Sequence, residues 1–331
     1  MKNLKRNEFI KLASIGAITT MLPTKLSTMT KKADYIPKYS LSQWALHRMQ
    51  FGNSKEDYET WKKALFTDPD QNLAGPLHPL DFPEKARSMG YETVEYVNTF
   101  FFDKARDQEY LSTLKLRCKD NGIKSLLLMV DEEGFLGDSD SGKRKEAIEN
   151  HKKWVEAGAF LGCNYIRVNA HADGDWHGQK MRAAEGLKAV CDYADTMDIQ
   201  VLIENHGGLS SNPKWLLETI EETGHPTLGV MNDFDNFEWS KDVIWGSRQR
   251  YNRYLGFEML MPFTYSVSAK AHHFDDQGYE TTIDFERMAE IIAKSDFSGY
   301  VSVEYEGSYF TEEEGIDLTR KLLERSFNNI Q

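Results

Sequence analysis

A single (β/α)8 barrel is the fold this sequence predicts, on three observations. Short apolar runs recur from residue 35 onward, segments with helical spacing separate them, and the runs number eight. Strands alternating with helices build a parallel sheet, and eight repeats favour closing it. An open doubly wound sheet competes, but no Gly-rich phosphate loop follows an early strand. The nearest stretch, GDSDSGKR, ends in Arg144 where a hydroxyl is needed.

The runs fall at 39–46 (YSLSQWAL), 91–97 (YETVEYV), 123–130 (IKSLLLMV), 164–169 (NYIRVN), 199–205 (IQVLIEN), 227–233 (TLGVMND), 264–270 (TYSVSAK) and 299–305 (GYVSVEY). Helical spacing occupies 104–121, 143–163, 180–197, 213–223, 247–261, 283–295 and 312–327. Asn212 before Pro213 reads as a helix start, and Thr311 with Glu314 as a capping box. Gly90, Gly122, Gly162 and Gly224 read as helix ends.

The chain has 331 residues, 40% hydrophobic and 28% charged, enough for one large core. A net charge of −12 argues against a nucleic-acid backbone as partner. Cys118, Cys163 and Cys191 are far apart, so neither a disulfide framework nor a cysteine zinc site is expected. Residues 1–34 read as a leader, with a basic start and a short apolar stretch from Leu12 to Leu22; residues 35–331 form the barrel domain. The apolar stretch is too short to span a bilayer, and no stable membrane span is expected. Arg6-Asn7-Glu8-Phe9-Ile10-Lys11 looks like a twin-arginine export signal with Asn7 in the second arginine's place. A periplasmic location is therefore expected, with cytoplasmic retention as the alternative. Nothing in the sequence indicates an oligomeric state.

In this fold the chemistry sits where strands end and loops begin. The fifth run passes through three aliphatic residues into Glu204, Asn205 and His206. The sixth ends in Asp233, the seventh is followed by His272 and His273, and the eighth ends in Glu304, two residues before Glu306. Alternation puts Ser266, Ser268, Lys270 and His272 on one face, which favours His272 over His273. Glu304 lies nearer its strand than Glu306, which reads as a loop residue. Three carboxylates at one rim repel one another and resist ionisation. A divalent cation removes that conflict, giving Glu204, Asp233, His272 and Glu304 as its ligand set. One imidazole with several oxygens suits Mn²⁺ first, and Mg²⁺, Co²⁺ or Zn²⁺ after it. Any one of these residues alone is more often a helix cap or a lysine's partner; four on successive strands are not.

The runs VLIENHGGLSSN, LGVMNDFDNF, LMPFTYSVSAKAHHFD and GYVSVEYEG, with ENHKKWVEAGAFLGCNYIRVNA between, resemble the xylose isomerase-like TIM-barrel family, the sugar phosphate isomerase/epimerase group. The resemblance spans residues 38–327. It implies the same four metal ligands and a carbohydrate or sugar derivative as the partner molecule. Ketose 3-epimerases of the family carry a substrate-binding Glu after the strand-5 ligand and a His after the strand-6 Asp. Ser210 and Asn236 stand at those places, so a free-ketose 3-epimerase is disfavoured. The closer resemblance is to an export-signalled branch, some of whose members act on 3-keto-glycosides by elimination.

A metal chelated by adjacent sugar oxygens stabilises an enediolate when a proton leaves the carbon beside a carbonyl. Glu204 and Glu304 are then the acid and base on its two faces. The expected activity is a metal-dependent isomerase or epimerase, with a lyase eliminating from a 3-keto-glycoside as the alternative. Substrate contacts are expected from His47, Glu95, Asn169, His206 and Lys270. Asp131, Glu132, Glu133, Arg167 and His171 also fall near the rim, and Trp44, Trp176, Trp245 and Phe310 are candidates to stack on a sugar. The basic, aromatic segment 239–254 reads as a lid or phosphate grip, or as a solvated helix face. An abasic-site endonuclease needs a histidine-rich zinc cluster and a basic groove, which nine histidines and a charge of −12 fit poorly. A non-catalytic sugar-binding barrel is the remaining class.

Overall fold

Eight parallel strands close into a barrel in the computed structural model, which describes residues 35–240 and 248–330. They are β1 (Lys38–Ser42), β2 (Thr93–Val97), β3 (Lys124–Met129), β4 (Tyr165–Val168), β5 (Gln200–Glu204), β6 (Gly229–Asp233), β7 (Thr264–Ala271) and β8 (Tyr300–Tyr305). Each lies beside its neighbours in sequence, and β1 pairs with β8 from Lys38 opposite Tyr300 to Leu41 opposite Val303. Closure leaves the barrel no exposed edge. Each apolar run yields a strand because helices cover one face and the barrel interior the other.

The seven expected helices form. Three short ones, α1 (His47–Phe51), α2 (Tyr58–Thr67) and α3 (Phe82–Ser88), lie in the β1–β2 connection, where no helical spacing was read. The others are α4 (Gln108–Asp120), α5 (Ser141–Leu161), α6 (Trp176–Asp195), α7 (Pro213–Thr223), α8 (Arg253–Leu260), α9 (Phe285–Ala293) and α10 (Glu312–Ile330). The Asn212 side chain accepts from Lys214 N at 3.1 Å, and Pro213 fills the first turn of α7. Thr311 N donates to Glu314 Oε2 at 3.0 Å while Glu314 N donates to Thr311 Oγ1 at 3.2 Å, a reciprocal cap on α10. Gly162 and Gly224 end α5 and α7 at φ 84° and 60°, where a side chain would be strained.

The first run stops short of its expected end. Ser42 Oγ accepts from Trp44 N at 3.2 Å and turns the chain into a 3-10 turn over Gln43–Leu46. The apolar core lies between strands and helices, with Tyr96, Trp154, Trp215, Phe257 and Tyr305 fully buried. Inside the barrel the filling is polar: Ser40, Ser266 and Ser302 are buried with Glu95. The three cysteines are buried and unpaired. Among the described residues no helix is long and apolar enough to cross a membrane. The leader and Trp245 lie outside the described residues. Of segment 239–254, a two-stranded hairpin pairing Glu238–Ser240 with Arg248–Arg250, and the start of α8, are described.

Candidate active site

The carboxyl ends of β4 to β8 bring one cluster of charges to the mouth of the barrel. Arg167, from β4, chelates Asp131 with Nη1 at 2.6 Å and Nη2 at 3.3 Å, and sets its Nε 3.0 Å from Glu204 Oε2 on β5. The second contact is an ion pair without the alignment of a hydrogen bond. Asn236 Nδ2 donates to the other Glu204 oxygen at 3.0 Å. Lys270, from β7, places Nζ 2.9 Å from Glu306 Oε1, 3.2 Å from Glu304 Oε1 and 3.8 Å from Asp233 Oδ2. Ser42 Oγ donates to Glu304 Oε2 at 2.9 Å, so the end of β1 orients the acid at the end of β8. Asp233 Oδ1 accepts from Asp235 N and Asn236 N at 2.8 and 2.9 Å, capping its own loop, while Oδ2 makes no hydrogen bond.

Burial sets the proton affinities. It lifts Glu204 to about 7, against the pull of Arg167 and Lys270, and Asp233 to about 6. Glu304 is raised for the same reason. Burial also acts on Glu306, but the adjoining Lys270 ammonium outweighs it and holds that carboxylate down at about 2. Burial opposes the charge on Lys270 too, yet Asp233, Glu306 and Glu304 together keep it protonated. The mouth thus holds two permanent cations, two firmly ionised acids in Asp131 and Glu306, and three acids, Glu204, Asp233 and Glu304, whose proton affinity is raised.

Of the expected metal quartet, Glu204, Asp233 and Glu304 come to this cluster and His272 does not join it. β7 ends at Ala271, and His272 Nε2 pairs with Asp235 Oδ2 at 3.3 Å. Asp235 raises the His272 pKa and is itself gripped by Arg250 at 2.9 Å and Arg253 at 2.5 Å. Those arginines belong to the basic segment read as a lid or phosphate grip; here they neutralise a loop acid. Among the described residues no three His, Cys, Asp or Glu side chains converge as a metal site requires. The residues present therefore do not fit a divalent ion: the imidazole is engaged elsewhere, and an ammonium sits among the acids.

The expected substrate contacts divide. Asn169, His206 and Lys270 line a cleft of about 850 Å³ over the cluster, together with Glu204, Glu304 and Arg167. Asn169 donates to Asp131 Oδ1 at 2.7 Å and accepts from His206 Nδ1 at 3.0 Å. Burial and the Arg167 charge hold His206 neutral, at about 3. His171 lines the cleft and donates to His206 O at 2.8 Å. His47 and Glu95 do not line it. His47 stacks on Trp44, and its Nδ1 lies 2.9 Å from Trp44 O. Glu95 is fully buried inside the barrel, accepting from Ser40 Oγ at 2.8 Å and Ser266 Oγ at 3.4 Å. It sits too early in β2 to reach the rim. Trp44 lines the cleft, whereas Trp176 bonds Glu218 and Phe310 packs on Phe274. Glu132 and Glu133 line it while engaged by Lys62 and Lys153.

Glu306, set behind Glu304 in the sequence, lines the cleft, and so do Lys55, Tyr58 and Trp61, which residue spacing does not mark. Glu306 follows β8, where proximity to the strand favoured Glu304. Lys55, Tyr58 and Trp61 come from the β1–β2 connection, with Lys55 Nζ 3.9 Å from the centre of the Trp44 ring and 4.8 Å from that of Trp61. The signal available was a lysine among aromatics in SKEDYETW, after a strand end.

Comparison with known proteins bears on the fold. The 3-keto-D-glucoside 4-epimerase of E. coli superposes with a TM-score of 0.61 at 15% identity, covering 87% of this chain and 99% of that one. A probable 3-DHS dehydratase from Bacillus anthracis gives 0.58 at 14%, covering 87% and 98%. The IolI protein with a bound zinc atom gives 0.59 at 16%, covering 89% and 99%. No curated protein sequence matches significantly. The family model described as xylose isomerase-like TIM barrel matches residues 83–326, most of the closed barrel, and the chain belongs to that family.

Proposed function

We propose that this protein is a carbohydrate isomerase or epimerase that moves a proton at the carbon beside a sugar carbonyl. The observation that carries the reading is the pair Glu204 and Glu304. Both are buried carboxyls with raised proton affinity, one against a guanidinium and the other against an ammonium, at the floor of one cleft. One takes the proton from carbon and the other, protonated, returns one. The oxyanion that develops between these steps is stabilised by the cationic hydrogens of Lys270 and Arg167, held in place before the substrate arrives. Tyr58, exposed at the cleft, supplies a ring for the apolar face of a sugar, and Asn169 and His206 polar contacts beside it.

The neighbour named a 3-keto-D-glucoside 4-epimerase carries that chemistry in its name, which agrees with the reading. Elimination from a 3-keto-glycoside is the second reading, and Ser210 and Asn236 favour it over a ketose 3-epimerase. Ser210 Oγ is spent within its loop, donating to Gly207 O at 2.7 Å, and Asn236 serves Glu204. The test is incubation with aldoses, ketoses and 3-keto-glucosides in D₂O. Deuterium beside the carbonyl with a new epimer or isomer supports the first reading. An unsaturated product with loss of the glycosidic group assigns the second. Binding without exchange makes the barrel a sugar-binding module.

A further inference from the structure

We propose that the Lys270 ammonium takes the place of the divalent ion expected at this barrel mouth, so that the chain holds its site together without a metal there. The chemistry assigned to that cation rests on the isomerase reading, but its placement stands without it.

Three observations converge. Lys270 Nζ lies among three carboxylates from two other strand ends, at 2.9 Å from Glu306, 3.2 Å from Glu304 and 3.8 Å from Asp233, with only 6% of the residue exposed. Side chains that would gather round an ion are gathered round a lysine.

The strand register leaves no imidazole at the required level. The β7 residue opposite Asp233 is the fully buried Ser268, and the residue opposite Glu304 is Lys270 itself. A serine side chain carries a hydroxyl and no nitrogen, so it does not supply the imidazole of the expected set. His272, two residues beyond, is held by Asp235.

The third observation is charge. A dication beside a buried ammonium meets strong repulsion in a medium of low dielectric. A lysine fixed by its backbone supplies the positive charge with three hydrogen-bond donors and no dissociation constant. It can neutralise an oxyanion without binding sugar oxygens as a metal does.

The test is titration of Mn²⁺ into the metal-stripped protein, without sugar, following the electron paramagnetic resonance signal of free Mn²⁺. The wild type is expected to leave the signal unchanged at micromolar concentrations. Lys270→Ala is expected to capture one ion per chain, at least tenfold more tightly than the wild type, and Lys270→Gln serves if that variant does not fold by circular dichroism. One equivalent captured by the wild type and lost in Asp233→Asn would overturn the proposal; capture that survives Asp233→Asn lies elsewhere and agrees with it. Silence in both the wild type and the lysine variant would overturn the claim that Lys270 keeps the ion out. Because no sugar is present, these outcomes are independent of the deuterium experiment.

Discussion

Lys270 lies opposite Glu304 across the β7–β8 ladder, and its ammonium stands 3.2 Å from that carboxylate. The pair is buried, and the same ammonium serves Glu306 and Asp233. Removing one partner of a buried ion pair costs more than the pair contributes, because the remaining charge stays out of water. Lys270→Met is therefore expected to lower stability by about 3–5 kcal/mol. Urea unfolding at neutral pH measures it, and a loss within 1 kcal/mol would show that the acids simply take up protons (about 1.4 kcal/mol per unit of pKa shift).

Asp131 makes the corresponding arrangement with Arg167, whose guanidinium holds that carboxyl well below the ordinary range despite its burial. Asp131→Ala frees Arg167 to turn wholly onto Glu204 and releases Asn169 and, through it, His206. Sugar binding is expected to weaken by an order of magnitude or more, roughly the loss of a charged hydrogen bond. Calorimetric titration with a turned-over sugar checks this.

Glu95 gives the clearest pH signature. Burial lifts its pKa from 4.5 to about 7, with three serine hydroxyls opposing. A folded-state value above the unfolded one means the folded chain retains the proton longer. The contribution to stability is undiminished below pH 4.5, falls as pH rises towards 7, and stays lost above it. Glu95→Gln removes this dependence and is expected to be more stable than the wild type at pH 8, by at most about 3 kcal/mol. Melting temperatures of both proteins from pH 5 to 8 should diverge as pH rises.

The architecture was legible because barrel strands are short apolar runs and the outer helices have a 3.6-residue period, signals that survive without tertiary context. The β1–β2 connection was not, since α1 is five residues long and shows too little of a period to read. Strand ends put Glu204, Asp233 and Glu304 at the mouth of the barrel, which is where the structure has them. Alternation correctly put Lys270 on the inner face but carried His272 along with it, past the end of the strand at Ala271. Which cation meets the acids depends on strand register and on the reach of a lysine side chain, and neither is written in residue spacing. Glu95 obeyed the alternation too, yet depth in the barrel, rather than face, decides whether an inward side chain meets the cleft.

Proton transfer by Glu204 beside a sugar carbonyl is tested most directly by mass spectrometry and NMR of sugars recovered from D₂O after incubation with the wild type and with Glu204→Gln. Uptake of one solvent deuteron by the wild type at the carbon next to the carbonyl is expected, with the rate falling about 10²–10⁴-fold in the variant. Exchange that proceeds equally fast in both proteins would contradict it.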